Sequence, residues 1–198
     1  MAESAEFLPD PGWYLEELVS TLVIARDCGR LLERWLVTAE LPLDELLVEL
    51  NVDGPWQRFR SPGRGPVSAL GPAGGEGVAA DAHGAEITAD DWPPAPNGRR
   101  VVSVRLPRPL LPAESHAFDL TLRVPRSRAF TRHVVVPPVA CRRLELRVHF
   151  GRPGAPAAVS RVDGAAGARA ARTPVDRAGD VAATFTDLRP GRAYGVAW

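Results

Sequence analysis

The chain has no lysine: all 24 basic residues among its 198 are arginines. That absence removes a P-loop, whose lysine reaches the nucleotide phosphates, and it removes Schiff-base and serine–lysine chemistry as well. Cysteine is nearly absent too. Cys28 and Cys141 are too few for a disulfide framework, and a buried, inert thiol is the default for such residues. The opening MAESAEFLPD has no basic region and no apolar stretch, so no signal peptide is expected. The most apolar runs, such as Leu18 to Ala25, fall far short of the ~20 residues that span a bilayer as a helix. No G-x-G-x-x-G, G-x-S-x-G or H-E-x-x-H occurs, so a catalytic site would have to be assembled from scattered residues. The expectation is a soluble cytoplasmic protein with free thiols, no cofactor and no membrane contact.

What the chain does have is turn formers. Its 20 prolines and 18 glycines, with 45% hydrophobic residues, suit many short strands separated by turns. The net charge of zero conceals an asymmetry: residues 1–98 hold 17 acids and 6 arginines, residues 99–198 hold 7 acids and 18 arginines. The balance is −11 followed by +11. Arginine, alanine, proline and glycine share GC-rich codons, which explains the arginine count without function; arginine forks also suit bidentate contacts to carboxylate or phosphate.

Residues 1–12 read as a loose lead-in and 13–198 as one domain, with a division into 13–96 and 99–198 as the alternative. Leu18 to Ala25 and Leu31 to Glu40 flank a glycine-containing connection and predict a first hairpin. For Leu43 to Leu50 a short amphipathic helix competes with a strand. Residues 60–100 are dominated by loop composition. The second half alternates clearly, with Val102, Val104, Leu106, then Phe118, Leu120, Leu122, Val124, then Leu144, Leu146, Val148, Phe150 each on one phase. This is the period of half-buried antiparallel strands. About seven strands in the last hundred residues, extended by those before residue 60, predict an all-β, immunoglobulin-like antiparallel β-sandwich enlarged to about ten strands.

Four features could carry function. Arg123, Arg126, Arg128, Arg132, Arg142, Arg143 and Arg147 lie on or between consecutive strands, and a hairpin could gather them on one exposed face. Such a face suits an acidic protein surface, or self-association with the acidic first half, better than nucleic acid, because stacking aromatics are few. Trp56 and Trp92, in long loops, could hold a sugar or another planar ligand. His116, His133 and His149 could converge on zinc, yet they lack short ligand pairs, and no metal or catalytic residue is assigned. Nothing brings Ser160, His149 and Asp163 together as a triad.

The ending Thr186-Asp187-Leu188-Arg189-Pro190-Gly191-Arg192-Ala193-Tyr194 resembles the L-x-P-G-x-x-Y corner of fibronectin type III domains, with Leu188, Pro190, Gly191 and Tyr194 matching. The resemblance implies a sandwich corner with Tyr194 buried and its hydroxyl bonded to main chain near Leu188 to Arg192. The span from Leu18 to Trp198, through RRLELRVHF, AVSRVDG and FTDLRPGRAYGVAW, also looks like β-rich modules of actinobacterial proteins, some carried behind helix-turn-helix regulator domains. That resemblance implies a non-catalytic interaction or sensing module of a bacterial regulatory system. The alternative is a carbohydrate-binding or other small-molecule-binding sandwich, possible hydrolysis included, using the loops at Trp56 and Trp92.

Overall fold

Alternation with period two forces each strand to choose one face for its apolar residues, and in the computed structural model those faces join into one core. The structure describes residues 11–25, 28–50, 79–87, 100–125, 131–151, 155–164 and 171–198. Within them the chain forms β1 (Trp13–Ile24), β2 (Cys28–Ala39), β3 (Leu43–Leu50), β4 (Ala79–His83), β5 (Glu86–Ile87), β6 (Arg100–Leu110) and β7 (Ser115–Pro125). They are followed by β8 (Arg132–Val135), β9 (Cys141–Phe150), β10 (Ala158–Asp163), β11 (Arg172–Pro174), β12 (Asp180–Leu188) and β13 (Tyr194–Ala197). The fold is an all-β sandwich. Leu43 to Leu50 is a strand, since the buried Leu46 and Val48 lie two residues apart and their β6 partners Val104 and Val102 are buried with them.

One layer is a six-stranded sheet in the order β12-β9-β1-β2-β7-β4. It is antiparallel except where β1 runs parallel to β9. The other layer consists of two smaller sheets, β11-β10-β13-β8 and β3-β6-β5. Short connections fix the three-stranded sheet. β3 leaves the end of β2, β5 leaves β4 and β6 returns into β7, each through two to four residues, so this sheet folds over the β2, β7 and β4 portion. The four-stranded sheet covers the rest: Phe185 of β12 meets Tyr194 of β13 edge to face at 5.8 Å, and Phe150 of β9 meets Trp198 at 4.8 Å.

Register makes the shared face continuous. Across the six-stranded sheet, Phe185, Leu144, Leu18, Trp35 and Phe118 form one transverse row, and Val181, Val148, Leu22, Leu31 and Leu122 another. All ten are buried. Sliding β9 by one residue would turn Leu144, Leu146 and Val148 to water at roughly 1.5–3 kcal/mol each. Strands from residues 13–96 and from residues 99–198 share this sheet and core.

At the chain's end, Leu188 and Tyr194 are both buried. The Tyr194 hydroxyl accepts a hydrogen bond from the backbone N–H of Arg189 at 3.0 Å. Gly191 holds φ at +72° in the turn between them, where a side chain would be strained. Tyr194→Phe leaves the ring's packing in place and unpairs one N–H, so it is expected to lower unfolding free energy by about 0.5–1.5 kcal/mol with the fold retained. Urea denaturation measures this; an unchanged midpoint would show that the bond contributes nothing.

Candidate functional site

Two polar assemblies stand out on this apolar framework, one sealed and one open. In the sealed one, Ser20 of β1 and Glu33 of β2 face each other in register on the core side of the six-stranded sheet. Both sit on phases whose buried neighbours are apolar: Leu18 and Leu22 on β1, and Leu31, Trp35 and Val37 on β2. His133 descends from β8 in the opposite layer, and its Nε2 lies 3.1 Å from Ser20 Oγ. The Ser20 hydroxyl donates to Glu33 Oε1 at 3.0 Å, and Trp35 Nε1–H donates to Oε2 at 3.2 Å. With its proton committed to Glu33, Ser20 accepts from an Nε2–H on His133. Burial holds the His133 ring well below its usual range, to about 4, against an opposing hydrogen bond to the Ser20 backbone. Burial likewise pushes the Glu33 carboxyl up, opposed by the bonds from Ser20 and Trp35.

Serine, histidine and glutamate are nucleophile, base and acid by type, but here the serine bridges the other two. In a catalytic triad the histidine does so. Ser20 has no exposed surface, so no substrate carbonyl reaches it. The cluster joins the layers. Gly195 of β13 pairs with Val134 of β8, and a Cβ at Gly195 would overlap the His133 carbonyl oxygen, so the glycine sets how closely the two strands approach.

The open assembly arises from a fault in alternation that crosses three strands at one level. Leu15 and Leu18, Cys141 and Leu144, and Phe185 and Leu188 are all buried, with two outward residues between each pair instead of one. β1 registers this as a bulge against β2 at Glu16; in β12, Asp187 takes a φ of +54°. Bulges re-aim side chains and often border functional sites. Here the result is a cleft of about 370 Å³ lined by Tyr14, Glu40, Ala140, Cys141, Arg142, Asp187 and Leu188. Cys141 and Leu188 are its buried residues. Arg142 binds both carboxylate oxygens of Glu16, at 2.9 and 3.1 Å, and its guanidinium lies 4.7 Å from the centre of the Tyr14 ring. The Tyr14 hydroxyl also donates to Glu16, at 2.8 Å. The Cys141 thiol donates to the Arg143 carbonyl at 3.3 Å, and burial pushes its pKa up to about 12, which leaves it a poor nucleophile.

Beside Glu40, the β2–β3 and β6–β7 connections are tied together. Ala39 N–H bonds Glu114 O, Ala113 N–H bonds Ala39 O, and Leu43 pairs with Leu110. Leu41 and Leu111, on these connections, are each 61% exposed. The cleft therefore borders an apolar tip.

The arginines predicted as a group divide. Arg142, Arg143 and Arg147 project from the outer face of β9 and are paired, Arg142 with Glu16, Arg143 with Glu17 and Glu145, and Arg147 with Glu145. Arg132 is exposed on β8, in a different sheet. Arg123 lies on β7 with its side chain outside the described residues, as are Arg126, Arg128, Trp56 and Trp92 altogether. The three histidines do not converge: His133 is in the core, His149 binds Asp180 on the surface at 2.7 Å, and His116 bonds the Gly84 carbonyl. Among the described residues no three metal-ligating side chains come together, and no helix is long and apolar enough to cross a membrane. Ser20, Glu33 and His133 are each a polar residue on an apolar phase, but the sequence does not state that they meet, and His133 is weighed there only with His116 and His149.

The chain matches no protein-family model and no curated protein. Among solved structures it is similar to a two-domain M1 zinc metallopeptidase mutant bound to L-tryptophan, at 16% identity and a TM-score of 0.47, over 95% of this chain and 43% of that one. An M1 zinc metallopeptidase from Deinococcus radiodurans gives 16% and 0.47, over 94% and 42%. The chain spans less than half the length of these proteins, and likeness at this level carries no argument about activity.

The sealed cluster gives a pH dependence with a definite sign. His133 is depressed when folded, so the unfolded chain binds more protons between pH 6.5 and about 4. Its contribution is whole above pH 6.5 and lost as pH falls through that window, by about 3 kcal/mol in all. Glu33, raised when folded, acts in the opposite sense, its contribution being lost as pH rises. His133→Gln keeps a donor for Ser20 and cannot titrate. Denaturation at pH 6.5 and pH 4 should show the wild type losing about 3 kcal/mol more than this variant; equal losses would show that His133 is not buried as a neutral ring.

Proposed function

We propose that this chain is a non-catalytic protein-interaction or sensing module of a cytoplasmic bacterial regulatory system, and that it meets its partner at the end of the sandwich where the cleft borders Leu41 and Leu111. The observation that carries the reading is the junction of two unlike surfaces. The cleft is walled by Tyr14 and Arg142, side chains enriched among the residues that dominate interface energetics. Next to it are two leucines, each 61% exposed on connections tied to each other by backbone hydrogen bonds. Fully exposed leucines are unremarkable singly. Two of them on joined turns beside a cleft form an apolar surface with a polar rim, which is how protein interfaces are built.

The contrast with the outer face of β9 supports the choice of surface. There the arginines are matched by Glu16, Glu17 and Glu145, so that face satisfies its own charge and offers an acidic partner little. Free Cys141 suits a reducing compartment such as the cytoplasm.

A photo-crosslinking residue placed at Leu41 or Leu111 in the native host should yield an adduct with one protein. The same residue at Ala182, exposed on β12, should not. Mass spectrometry of the adducts decides the matter: identical products from all three positions, or none from the leucines, would remove the tip as the interface.

A further inference from the structure

Three charged side chains line the cleft, Glu40, Asp187 and Arg142. Arg142 is neutralised by Glu16 through two bonds, and Tyr14 covers one face of its guanidinium. Glu17 is paired with Arg143. Glu40 and Asp187 remain: both line the cleft, both are exposed, and neither has a side-chain partner among the described residues. They come from different strand ends, Glu40 following β2 and Asp187 near the end of β12, with Arg142 in register opposite Asp187, between the pairs Thr186 with Arg143 and Leu188 with Cys141. The alternation fault turns Asp187 outward next to Thr186 instead of into the core.

The cleft's shape narrows what could answer that charge. At about 370 Å³ it is at the small end of ligand pockets, which run roughly 300–1,000 Å³, with room for a long side chain but not for a large cofactor. Two carboxylates are also too few for a metal ion, and no third ligand joins them among the described residues. The buried surfaces of Cys141 and Leu188 offer an apolar wall, which suits the hydrocarbon stem of a long basic side chain. Leu41 follows Glu40 directly and is exposed. An occupant that reached the carboxylates from the tip would cross it.

We propose that the cleft seats an arginine side chain of an extended segment in the partner protein, its guanidinium bound by Glu40 and Asp187, with a neighbouring apolar side chain of that segment lying on Leu41. The proposal rests on the interaction reading above and names the partner's chemistry. Arginine fits better than lysine because its planar fork donates in two directions to two carboxylates, while an ammonium acts as a point charge. An acidic segment would bring like charge against Glu40 and Asp187 and is excluded from the same place.

The probes are three fluorescein-labelled decapeptides that alternate arginine with leucine, arginine with serine, and glutamate with leucine, titrated with the full chain and followed by anisotropy at moderate salt. The arginine–leucine peptide should bind, and the double variant Glu40→Gln with Asp187→Asn should weaken it at least tenfold. Asparagine tolerates the left-handed backbone at 187 as well as aspartate does, and an unchanged melting curve verifies the fold. Leu41→Ser should bring the arginine–leucine peptide down to the affinity of the arginine–serine one. Binding unchanged in the double variant, equal binding of the two arginine peptides to the wild type, or no binding of the arginine–leucine peptide would each overturn the proposal. If the Leu41 crosslink to a partner persists in that event, the tip remains an interface and only the partner's chemistry is wrong; if it is also absent, both readings fall.

Discussion

The parallel alignment of β1 with β9 is the constraint on which the rest of the structure depends. These strands come from different halves of the sequence, and their pairing from Leu15 with Cys141 to Ile24 with Phe150 joins the β2, β7 and β4 portion of the sheet to β9 and β12. Without it there are two small sheets with little to enclose. The same alignment explains how an acidic first half and a basic second half coexist in one domain. β1 brings Glu16 and Glu17 beside Arg142 and Arg143, so part of the opposed charge is cancelled between neighbouring strands. Such exposed pairs are each worth little, about 0–1 kcal/mol. Their service is to register, because a two-residue slip that kept the apolar face buried would still separate every pair.

Glu33 and Ser20 act on the same problem from the inside. Apolar rows specify which face of a strand is buried but discriminate weakly among registers two residues apart, since leucine replaces leucine. A carboxylate that must meet Ser20, Trp35 and, through Ser20, His133 permits one register. A slip would leave a buried polar group unpaired, at roughly 1–3 kcal/mol or more. The cluster also reaches across the layers, where dispersion and burial fix distance but not position. Buried polar groups are costly to desolvate, and pinning β8 over β1 is what this one achieves in return.

The legible part of the chain was the part governed by local pattern. Alternation in Phe118 to Val124 and Leu144 to Phe150 identifies strands because the side-chain period is intrinsic to the extended backbone; the first hairpin was legible too, although Gly29, the glycine expected in its connection, lies within β2 and pairs with Ile24. Parallel pairing has no such signature: nothing in LVSTLVI or RRLELRVHF states that they lie side by side, since the connection between them is more than a hundred residues long. The polar cluster was half legible. Ser20, Glu33 and His133 each interrupt an apolar phase, which marks them as buried and in need of partners, but which partner each finds is decided by the sheet order. The cleft was least visible. Where Phe185 is followed by Leu188 instead of by an apolar residue at 187, the pattern looks like the fraying of a strand end; only the matching interruptions at Leu15 to Leu18 and Cys141 to Leu144 reveal a fault shared by three strands.

That shared fault also explains why the two polar assemblies do not compete. A strand in regular alternation commits every second residue to the core side, and any polar residue there must be satisfied, as the partly buried Glu33 is by Ser20 and Trp35. One extra residue across β1, β9 and β12 releases Glu16, Arg142 and Asp187 to the surface while Leu15, Cys141 and Leu188 stay buried beneath them. The end of the sheet thereby acquires charged groups backed by a closed core, without a cavity in that core. Substitutions of Glu40 and Asp187 act on groups with no internal partner among the described residues, whereas substitutions of Glu33 or Ser20 unpair a network that holds two layers together. Substitutions at this end therefore act little on stability, whereas those in the Ser20, Glu33 and His133 cluster act on stability and on its pH dependence.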